Sequence, residues 1–445
     1  MNDSFDPRSY GAVADGHSKD TAAVQAAIDA AAAQGGTVRL AGGTFVCGTL
    51  YLKSNVALEI TNSATLLASP DIADYGTDTH HNRYRNEPEL DRCFLFMQDA
   101  ENVTICGSGV IDGNAAAFPN AGSIYRPMLL RVLRCRNVRV QNLRLLNAAA
   151  WTTAFLDSDF IWATDLHIEN HRNYNGDGLD FDGCRHVWVR GCYIDGTDDN
   201  LCLQSSGLPV QDVHISDCAF TSVCVGIRIG LKSIGGISGV VISNCTMRNV
   251  WREGIKLECT EGGSITDILV ENVTMHNVRR PIFAILNNRY RPDDLGSSVE
   301  LDHIPPIGTM ARLRFVGITA VDDEEMAHAQ RRFDNDIMGK PKFGGCRFDA
   351  NAAHPMEDVT IRDFRYTAIG GVRLSDLPAA PYPEVPDRLQ APTTPGSENY
   401  YPDWSRTTHL DARNVRGLTL ENLHFITLHS DERPKMLTEG PTVML

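Results

Sequence analysis

Residues Cys184 to Gly196 read CRHVWVRGCYIDG, and this short pattern indicates the fold because it recurs along the chain. Apolar and polar residues first alternate, which is typical of a half-buried strand; a polar break follows, and a second short strand ends the copy. The next two copies read VQDVHISDCAFTS from Val210 and ISGVVISNCTMRN from Ile237. The chain is therefore built from repeats, and its 445 residues reflect added coils more than added globular domains.

The copies can be aligned on the first apolar position of their first strand. These positions are Val103, Val138, Ile161, Val187, Val213, Val240, Ile268, Leu313, Val359 and Leu418. By subtraction, the successive gaps are 35, 23, 26, 26, 27, 28, 45, 46 and 59 residues. A period in the twenties is too short for a strand with a crossover helix, but it fits a coil of a few short strands. Strands of stacked coils pair in parallel at about 4.8 Å, so the sequence predicts a parallel β-helix, an all-β solenoid.

We expect a single β-helix domain over residues 1–445. Regular coils span about residues 100–280, and the longer gaps after Ile268 indicate loop-decorated coils over about residues 281–430. The open apolar end of such a stack needs a cap. The alanine-rich segment from Thr21 to Ala32 has high helix propensity and apolar residues at helical spacing. We expect it to cap the first coil, within an N-terminal cap of about residues 1–45; the alternative is a surface helix.

The net charge and the hydropathy of the chain limit the kinds of partner that it can bind. The chain carries 56 acidic and 41 basic residues, a formal net charge of −15, so its average field repels polyanions and we expect no nucleic-acid partner. No apolar run reaches the roughly 18 residues of a membrane span, which predicts no membrane partner. The first residues, Met1 to Asp6, lack the charged and apolar regions of a signal peptide, so we expect a cytoplasmic location unless a leader has been removed. Composition leaves the oligomeric state open.

The 12 cysteines contain no CxxC pair with metal-site spacing. Most recur at equivalent places in the repeats, as at Cys184, Cys192 and Cys218. A buried thiol behaves as a small apolar group, so we expect the cysteines to pack in the core instead of forming disulfides or binding metal. We accordingly expect neither a metal nor a cofactor.

Three carboxylates fall about one coil apart in the most regular region. Asp177 lies in NGDGLD from Asn175, and Asp198 and Asp199 lie in GTDDN from Gly196, 21 to 22 residues later. Stacking is therefore expected to bring Asp177 near the pair, where crowded like charges raise at least one pKa and hold a proton for donation. Both motifs are also ordinary turn signals, so the alternative is that these acids only shape turns.

The run from Asn175 to Gly207 resembles the catalytic region of glycoside hydrolase family 28, the polygalacturonase family. That family has N-T-D-G, then D-D, G-H-G and R-I-K in order along the chain. The likeness extends over most of this chain and includes YGAVADG from Tyr10, RPMLL from Arg126 and NAAAWT from Asn147. It implies a right-handed parallel β-helix that hydrolyses a glycosidic bond with inversion.

By position in these motifs, the resemblance implies Asp198 as the general acid that protonates the glycosidic oxygen. It implies Asp177 and Asp199 as the pair that holds and activates the attacking water. Inversion requires a gap of about 6.5–9.5 Å between acid and base, which leaves room for that water.

Two departures from the family pattern bear on the substrate. Where the family has G-H-G, this chain places Cys224 or Val225 in the histidine position. Where it has R-I-K, this chain reads Lys256-Leu257-Glu258. The resemblance implies that the family's Arg and Lys hold the carboxylate of a uronate. Glu258 would repel that carboxylate, which makes plain galacturonan a less favoured substrate.

The charges around this departure are rearranged. We expect Lys232 to pair with Glu258 across neighbouring coils in reversed polarity, and Arg228 to contact the sugar; for Lys232 and Glu258 the alternative is two unrelated surface charges. Asp180 either shapes the site or forms hydrogen bonds in a turn, and Trp151 either stacks on a sugar or packs a coil. The predicted substrate-binding residues are Asn175, Asp180, Arg228, Lys232, Lys256, Glu258 and Trp151.

The predicted function is inverting hydrolysis of a pectin-type or related plant or microbial oligosaccharide. We expect exo action, because no leader is visible and the long loops after Ile268 would block one end of a cleft. One alternative is a polysaccharide lyase, in which acids bind calcium and a base removes the proton alpha to a carboxylate. Another is a non-catalytic carbohydrate-binding β-helix, which the missing histidine would suit.

Overall fold

The computed structural model describes residues 3–79, 92–120, 125–288, 304–323, 344–379 and 404–440. The chain divides into two compact units. The first unit comprises Met1–Asn200 and Gln211–Cys218, and the second comprises Leu201–Val210 and Ala219–Leu445. The single domain expected from the repeats stays a prediction.

Among its described residues, the first unit contains one α-helix, α1 (Thr21–Gln34), and short 3-10 helices at Pro7–Tyr10, Ile72–Asp74 and Ala115–Ala117. Its strands are β1 (Asp3–Phe5), β2 (Asp15–Lys19), β3 (Gly36–Leu40), β4 (Gly43–Cys47), β5 (Leu50–Tyr51), β6 (Val56–Ile60), β7 (Ala64–Ala68), β8 (Cys93–Gln98), β9 (Glu101–Gly107), β10 (Val110–Asp112), β11 (Met128–Leu133), β12 (Arg136–Gln141), β13 (Arg144–Leu146), β14 (Thr153–Leu156), β15 (Asp159–Thr164), β16 (His167–Asn170), β17 (Leu179–Asp182), β18 (Arg185–Arg190), β19 (Tyr193–Gly196) and, after the first segment of the second unit, β21 (Val210–Ser216).

The second unit contains a short 3-10 helix at Leu374–Asp376 among its described residues. Its strands are β20 (Leu201–Ser205), β22 (Ala219–Ser222), β23 (Ile227–Ser233), β24 (Ile237–Ser243), β25 (Thr246–Cys259), β26 (Ser264–Leu286), β27 (Thr309–Val321), β28 (Cys346–Asp349), β29 (Met356–Gly370), β30 (Leu410–Arg413), β31 (Val415–His429) and β32 (Met436–Glu439).

Equivalent strands of successive coils pair in parallel. In the first unit β11, β14 and β17 form one ladder, β12, β15 and β18 a second, and β13, β16 and β19 a third. The predicted register is confirmed there. The positions that stand opposite one another are Val103, Val138, Ile161, Val187 and Val213.

The second unit repeats this arrangement with longer strands. Its opposed positions are Val240, Ile268, Leu313, Val359 and Leu418. All of these aligned residues are buried, because alternate side chains of each strand point into the coil. The chain is a right-handed parallel β-helix, as the sequence predicts.

The polar breaks between strands are corners in the left-handed backbone region. Asn102 and Asn137 have φ of 58° and 54°, a conformation that asparagine tolerates better than most residues. Their amides also stack: Asn137 Nδ2 donates to Asn102 Oδ1 at 2.7 Å, and Asn102 Nδ2 donates to Asn55 Oδ1 at 2.9 Å. The corners therefore turn each coil and link it to the next.

Helix α1 caps the first coil, as predicted. Its Val24, Ala27, Ile28 and Ala31 recur at helical spacing and are fully buried. Asp20, just before the helix, accepts hydrogen bonds from the backbone N–H groups of the preceding segment. In the described ranges no helix is long and apolar enough to cross a membrane.

The cysteines pack in the core, as expected. Eleven of the 12 are buried, and Cys106 is partly exposed. Burial raises the pKa of the Cys93 and Cys259 thiols to about 12, so these groups stay neutral. They fill space as small apolar side chains do.

Candidate active site

Asp177 and Asp199 lie on adjoining coils of the first unit. The backbone N–H of Gly178 donates to the carbonyl of Asp199 at 3.0 Å. On the other side, the N–H of Thr152 donates to the carbonyl of Asp177 at 3.0 Å. The backbone at Asp177 is thus tied both to the preceding coil and to the segment that carries the aspartate pair. The predicted one-coil stacking of the segments that carry the three acids is present.

The three aspartates differ in exposure. Asp177 and Asp199 are 5% and 2% exposed, whereas Asp198 is intermediate. Asp198 and Asp199 follow β19 in a turn, where neighbouring residues are not forced onto opposite faces as they are in a strand. The N–H of Asp199 donates to Asp198 Oδ1 at 3.0 Å. One partly exposed carboxyl beside two buried ones is an arrangement that can divide proton donation from water activation.

Two glycines allow the turns to approach each other. A Cβ on Gly178 would overlap the carbonyl oxygen of Asn200, and one on Gly176 would overlap the hydroxyl of Thr197. That hydroxyl accepts from the N–H of Gly176 at 3.0 Å and donates to the carbonyl of Asn173 at 2.6 Å. The NGDG motif is therefore required for packing as well as for turn formation.

The segment before Asp177 has further polar anchors. The side chain of Asn173 donates to the carbonyl of Ala149 at 3.1 Å. His171 Nε2 lies 3.0 Å from a carboxylate oxygen of the buried Asp195. Sequence reasoning missed Asp195, although it stands only three residues before Asp198.

Asp180 lies on the outward face of β17. It stands opposite Ala154 of β14, while the alternate residue Phe181 points inward and stacks on Phe155 with ring centroids 4.9 Å apart. Asp182 shares the outward face with Asp180, and both are buried. Strand alternation identifies Asp182 as a second acid on this face, which sequence reasoning had not singled out. The role of Asp180 stays a prediction.

Asn175 is hydrogen-bonded to a buried arginine, whereas Trp151 packs among apolar side chains. Asn175 Oδ1 accepts a hydrogen bond from Arg126 Nη2 at 2.9 Å. Trp151 is 5% exposed and packs in an apolar cluster with Phe96, Met128 and neighbouring side chains. Its packing role is therefore evident, and its contact with a sugar stays a prediction.

The second unit contains a buried charge cluster on the strands that carry the remaining predicted residues. Arg228 of β23 stands opposite Lys256 of β25. Arg228 Nε lies 2.8 Å from Glu258 Oε2, and Lys256 Nζ lies 3.4 Å from Glu258 Oε1. The Glu258 side chain is 3% exposed, so its charge is compensated inside the protein.

Glu253 extends this cluster and was missed by sequence reasoning. Its carboxylate lies 3.7 Å from Lys256 Nζ, 3.6 Å from Arg252 Nε and 3.6 Å from Arg280 Nη1. The described contacts of the cluster thus join four cations to two carboxylates.

Lys232 and Cys224 complete the second-unit residues. Lys232 is buried, and the strand register places Gly230 opposite Glu258. The Lys232–Glu258 pair therefore stays a prediction, while Arg228 and Lys256 are the partners seen for Glu258. Cys224 is buried, and its Sγ lies 3.5 Å from Arg252 Nη1.

Comparison with known proteins gives concordant results. The family model described as glycosyl hydrolases family 28 matches residues 44–300, more than half of the chain. A probable polygalacturonase of Vitis vinifera is 27% identical over 262 residues, which cover 52% of this chain and 52% of that protein. An exo-poly-alpha-D-galacturonosidase of Dickeya chrysanthemi is 22% identical over 333 residues, 55% of each chain. The chain spans about half the length of the curated relatives it matches.

A solved structure agrees with the fold. The hyperthermoactive exopolygalacturonase from Thermotoga maritima superposes with a TM-score of 0.66 at 20% identity. The match covers 82% of this chain and 87% of that one. At this identity the likeness demonstrates the fold and nothing finer.

Proposed function

Because this chain belongs to glycosyl hydrolase family 28, we propose that it hydrolyses a glycosidic bond of a pectin-type oligosaccharide, with inversion and from a chain end. The names of its relatives support the substrate class, since they include a polygalacturonase and an exo-poly-alpha-D-galacturonosidase. The exo-poly-alpha-D-galacturonosidase among these relatives also supports exo action.

The catalytic roles are assigned to the three stacked aspartates. Asp198 donates a proton to the glycosidic oxygen as the bond from that oxygen to the anomeric carbon breaks. Asp177 and Asp199 orient a water molecule and accept its proton as its oxygen attacks the opposite face of the sugar. The observation that carries this proposal is the backbone hydrogen bond from Gly178 to Asp199, which stacks the acids one coil apart.

The charge cluster of the second unit supports an acidic sugar. Repulsion from Glu258 is reduced because Arg228 and Lys256 lie against its carboxylate. The four cations of the cluster then favour a uronate over a neutral sugar. We assign substrate contact to this cluster and to Lys232 on that basis.

The test is a panel of defined oligosaccharides that contains oligogalacturonides and neutral pectic fragments. NMR of the first-formed anomer measures the stereochemistry, and labelling of one chain end distinguishes exo from endo cleavage. Asp198→Asn should lower kcat by about 10²–10⁴-fold, as expected for loss of a general acid. Asp165→Asn is the matched control, because it makes the same change at an exposed corner of the first unit with φ of 53°.

Each part of the proposal has its own contrary result. A product with retained configuration excludes inversion, and mid-chain fragments exclude exo action. A new unsaturated product that absorbs in the ultraviolet would identify a lyase. Equal activity of wild type and Asp198→Asn would remove Asp198 from the acid role.

A further inference from the structure

Arg126 is a fully buried arginine that lies two residues before β11. Its Nη1 donates to the carbonyl of Tyr174 at 2.6 Å, and its Nη2 donates to Asn175 Oδ1 at 2.9 Å. Both acceptors are in the segment that leads directly to Asp177. A buried guanidinium loses much of its hydration and needs such partners, so its placement here fixes the segment strongly.

The backbone before and after Gly176 is held in different ways. From Gly176 onward it is held by hydrogen bonds to neighbouring coils, with Thr197 donating to Gly176, Thr152 donating to Asp177 and Gly178 donating to Asp199. The preceding Asn175 is in the left-handed region with φ of 53°, outside any strand. At this turn the Arg126 side chain adds two hydrogen bonds, one to the backbone of Tyr174 and one to the side chain of Asn175.

We infer that Arg126 is a positioning residue for Asp177. It acts by holding Tyr174 and Asn175, and it makes no contact with the reacting atoms. This inference rests on the proposed function, because it assigns Asp177 a part in catalysis. The guanidinium suits the task since its planar fork reaches two acceptors at once, whereas a lysine ammonium is a single point charge on a flexible stem.

The test is Arg126→Lys, measured as kcat and KM on the best substrate of the panel, below the unfolding midpoint of every variant. Without the planar guanidinium, Asp177 should be free to move. We expect kcat to fall by about 10²-fold and KM to change by less than about 3-fold. Arg131→Lys is the matched control. Arg131 is also buried on the same strand region, but it donates to the carbonyl of Thr79 at 2.6 Å. Its kcat should stay within about 3-fold of wild type, since its acceptor Thr79 lies outside the segment that leads to Asp177.

A second variant separates positioning from folding. Asn175→Gly removes the acceptor and keeps the left-handed backbone accessible. This variant should lower kcat by about 10-fold. The double variant Arg126→Lys/Asn175→Gly should be no slower than Arg126→Lys alone, because both changes break the same hydrogen bond between residues 126 and 175. If Arg126→Lys does not fold, Asn175→Gly alone decides.

The outcomes are distinct. A wild-type chain that cleaves nothing in the panel overturns the proposed function and this inference with it. An active wild type with unchanged kcat in Arg126→Lys, or in Asn175→Gly where the first variant does not fold, overturns the inference alone. Multiplicative losses in the double variant, or an equal loss in Arg131→Lys, would do the same.

Discussion

Glu258 stands where the resemblance to the family implies a lysine, and its side chain is almost fully buried. Arg228 lies 2.8 Å away, so removal of the arginine would leave a buried carboxylate with weaker compensation. We predict that Arg228→Met lowers the free energy of unfolding by about 3–5 kcal/mol. Chemical unfolding monitored by circular dichroism measures this.

If burial of the Arg228–Glu258 pair causes this loss of stability, the effects of changing the two residues must be coupled. The double variant Arg228→Met/Glu258→Gln should lose less free energy of unfolding than the sum of the two single variants, because it removes both charges of the pair. The exposed pair Arg312–Asp267, with side chains 53% and 47% exposed, is the control; Arg312→Met should cost at most about 1 kcal/mol. Equal costs for the buried and exposed arginines would contradict the prediction.

The sequence could not place these charges, because register depends on small local shifts. Val250 stands opposite Val278, a spacing of 28 residues that would bring Pro281 opposite Glu253. The register instead shifts by one, and Arg280 stands there. A shift of one residue exchanges the two faces of a strand, so a period read from Val240 and Ile268 does not reveal which cation Glu253 meets.

At the level of strands and turns, the sequence was more informative. Val138 and Ile161 were paired by the period alone, and the polar breaks at residues such as Asn137 are the corners of the coils. These features depend on local alternation and on backbone preference, which a single sequence contains. Arg126 was different: it lies 49 residues before Asn175 and outside the repeat, so only the structure brings the two together.

The close approach of two turns gives a prediction at this level. Gly178→Ala would place a Cβ against the carbonyl of Asn200 and the side chain of Ile194, which forces the turns apart. We predict a loss of about 1–3 kcal/mol in the free energy of unfolding and a fall in kcat of about 10²-fold. Calorimetry and steady-state kinetics measure the two effects.

Gly207→Ala, the same change at a glycine elsewhere in the chain, is the control for Gly178→Ala. A Cβ at Gly207 meets nothing within 4 Å, so both stability and kcat should stay near wild type. Activity in Gly178→Ala equal to that of the control would show that the spacing of the two turns has no bearing on catalysis.

For the whole molecule, stability should depend on pH through a buried acid in the second unit. Asp322 follows β27; its Oδ2 accepts from the hydroxyl of Tyr366 at 3.1 Å, and its Oδ1 has no hydrogen-bond partner among the described residues. Burial raises the pKa of this carboxyl from 3.8 to about 7, against the opposing effect of the Tyr366 hydrogen bond. The folded state therefore binds a proton more tightly than the unfolded state does.

The sign of the pH effect follows from that difference. Below about pH 4 the carboxyl is protonated in both states, and between about pH 4 and 7 the unfolded state ionises first, so stability falls as pH rises and then levels off. The full difference corresponds to roughly 4 kcal/mol. Asp322→Asn should remove this decline, so that its Tm relative to that of wild type rises from pH 5 to about pH 7 and then stays constant. Tyr366→Phe should extend the decline to higher pH, because it removes a hydrogen bond that lowers the Asp322 pKa. A Tm difference between wild type and Asp322→Asn that is constant over this range would show that Asp322 ionises alike in the folded and unfolded states.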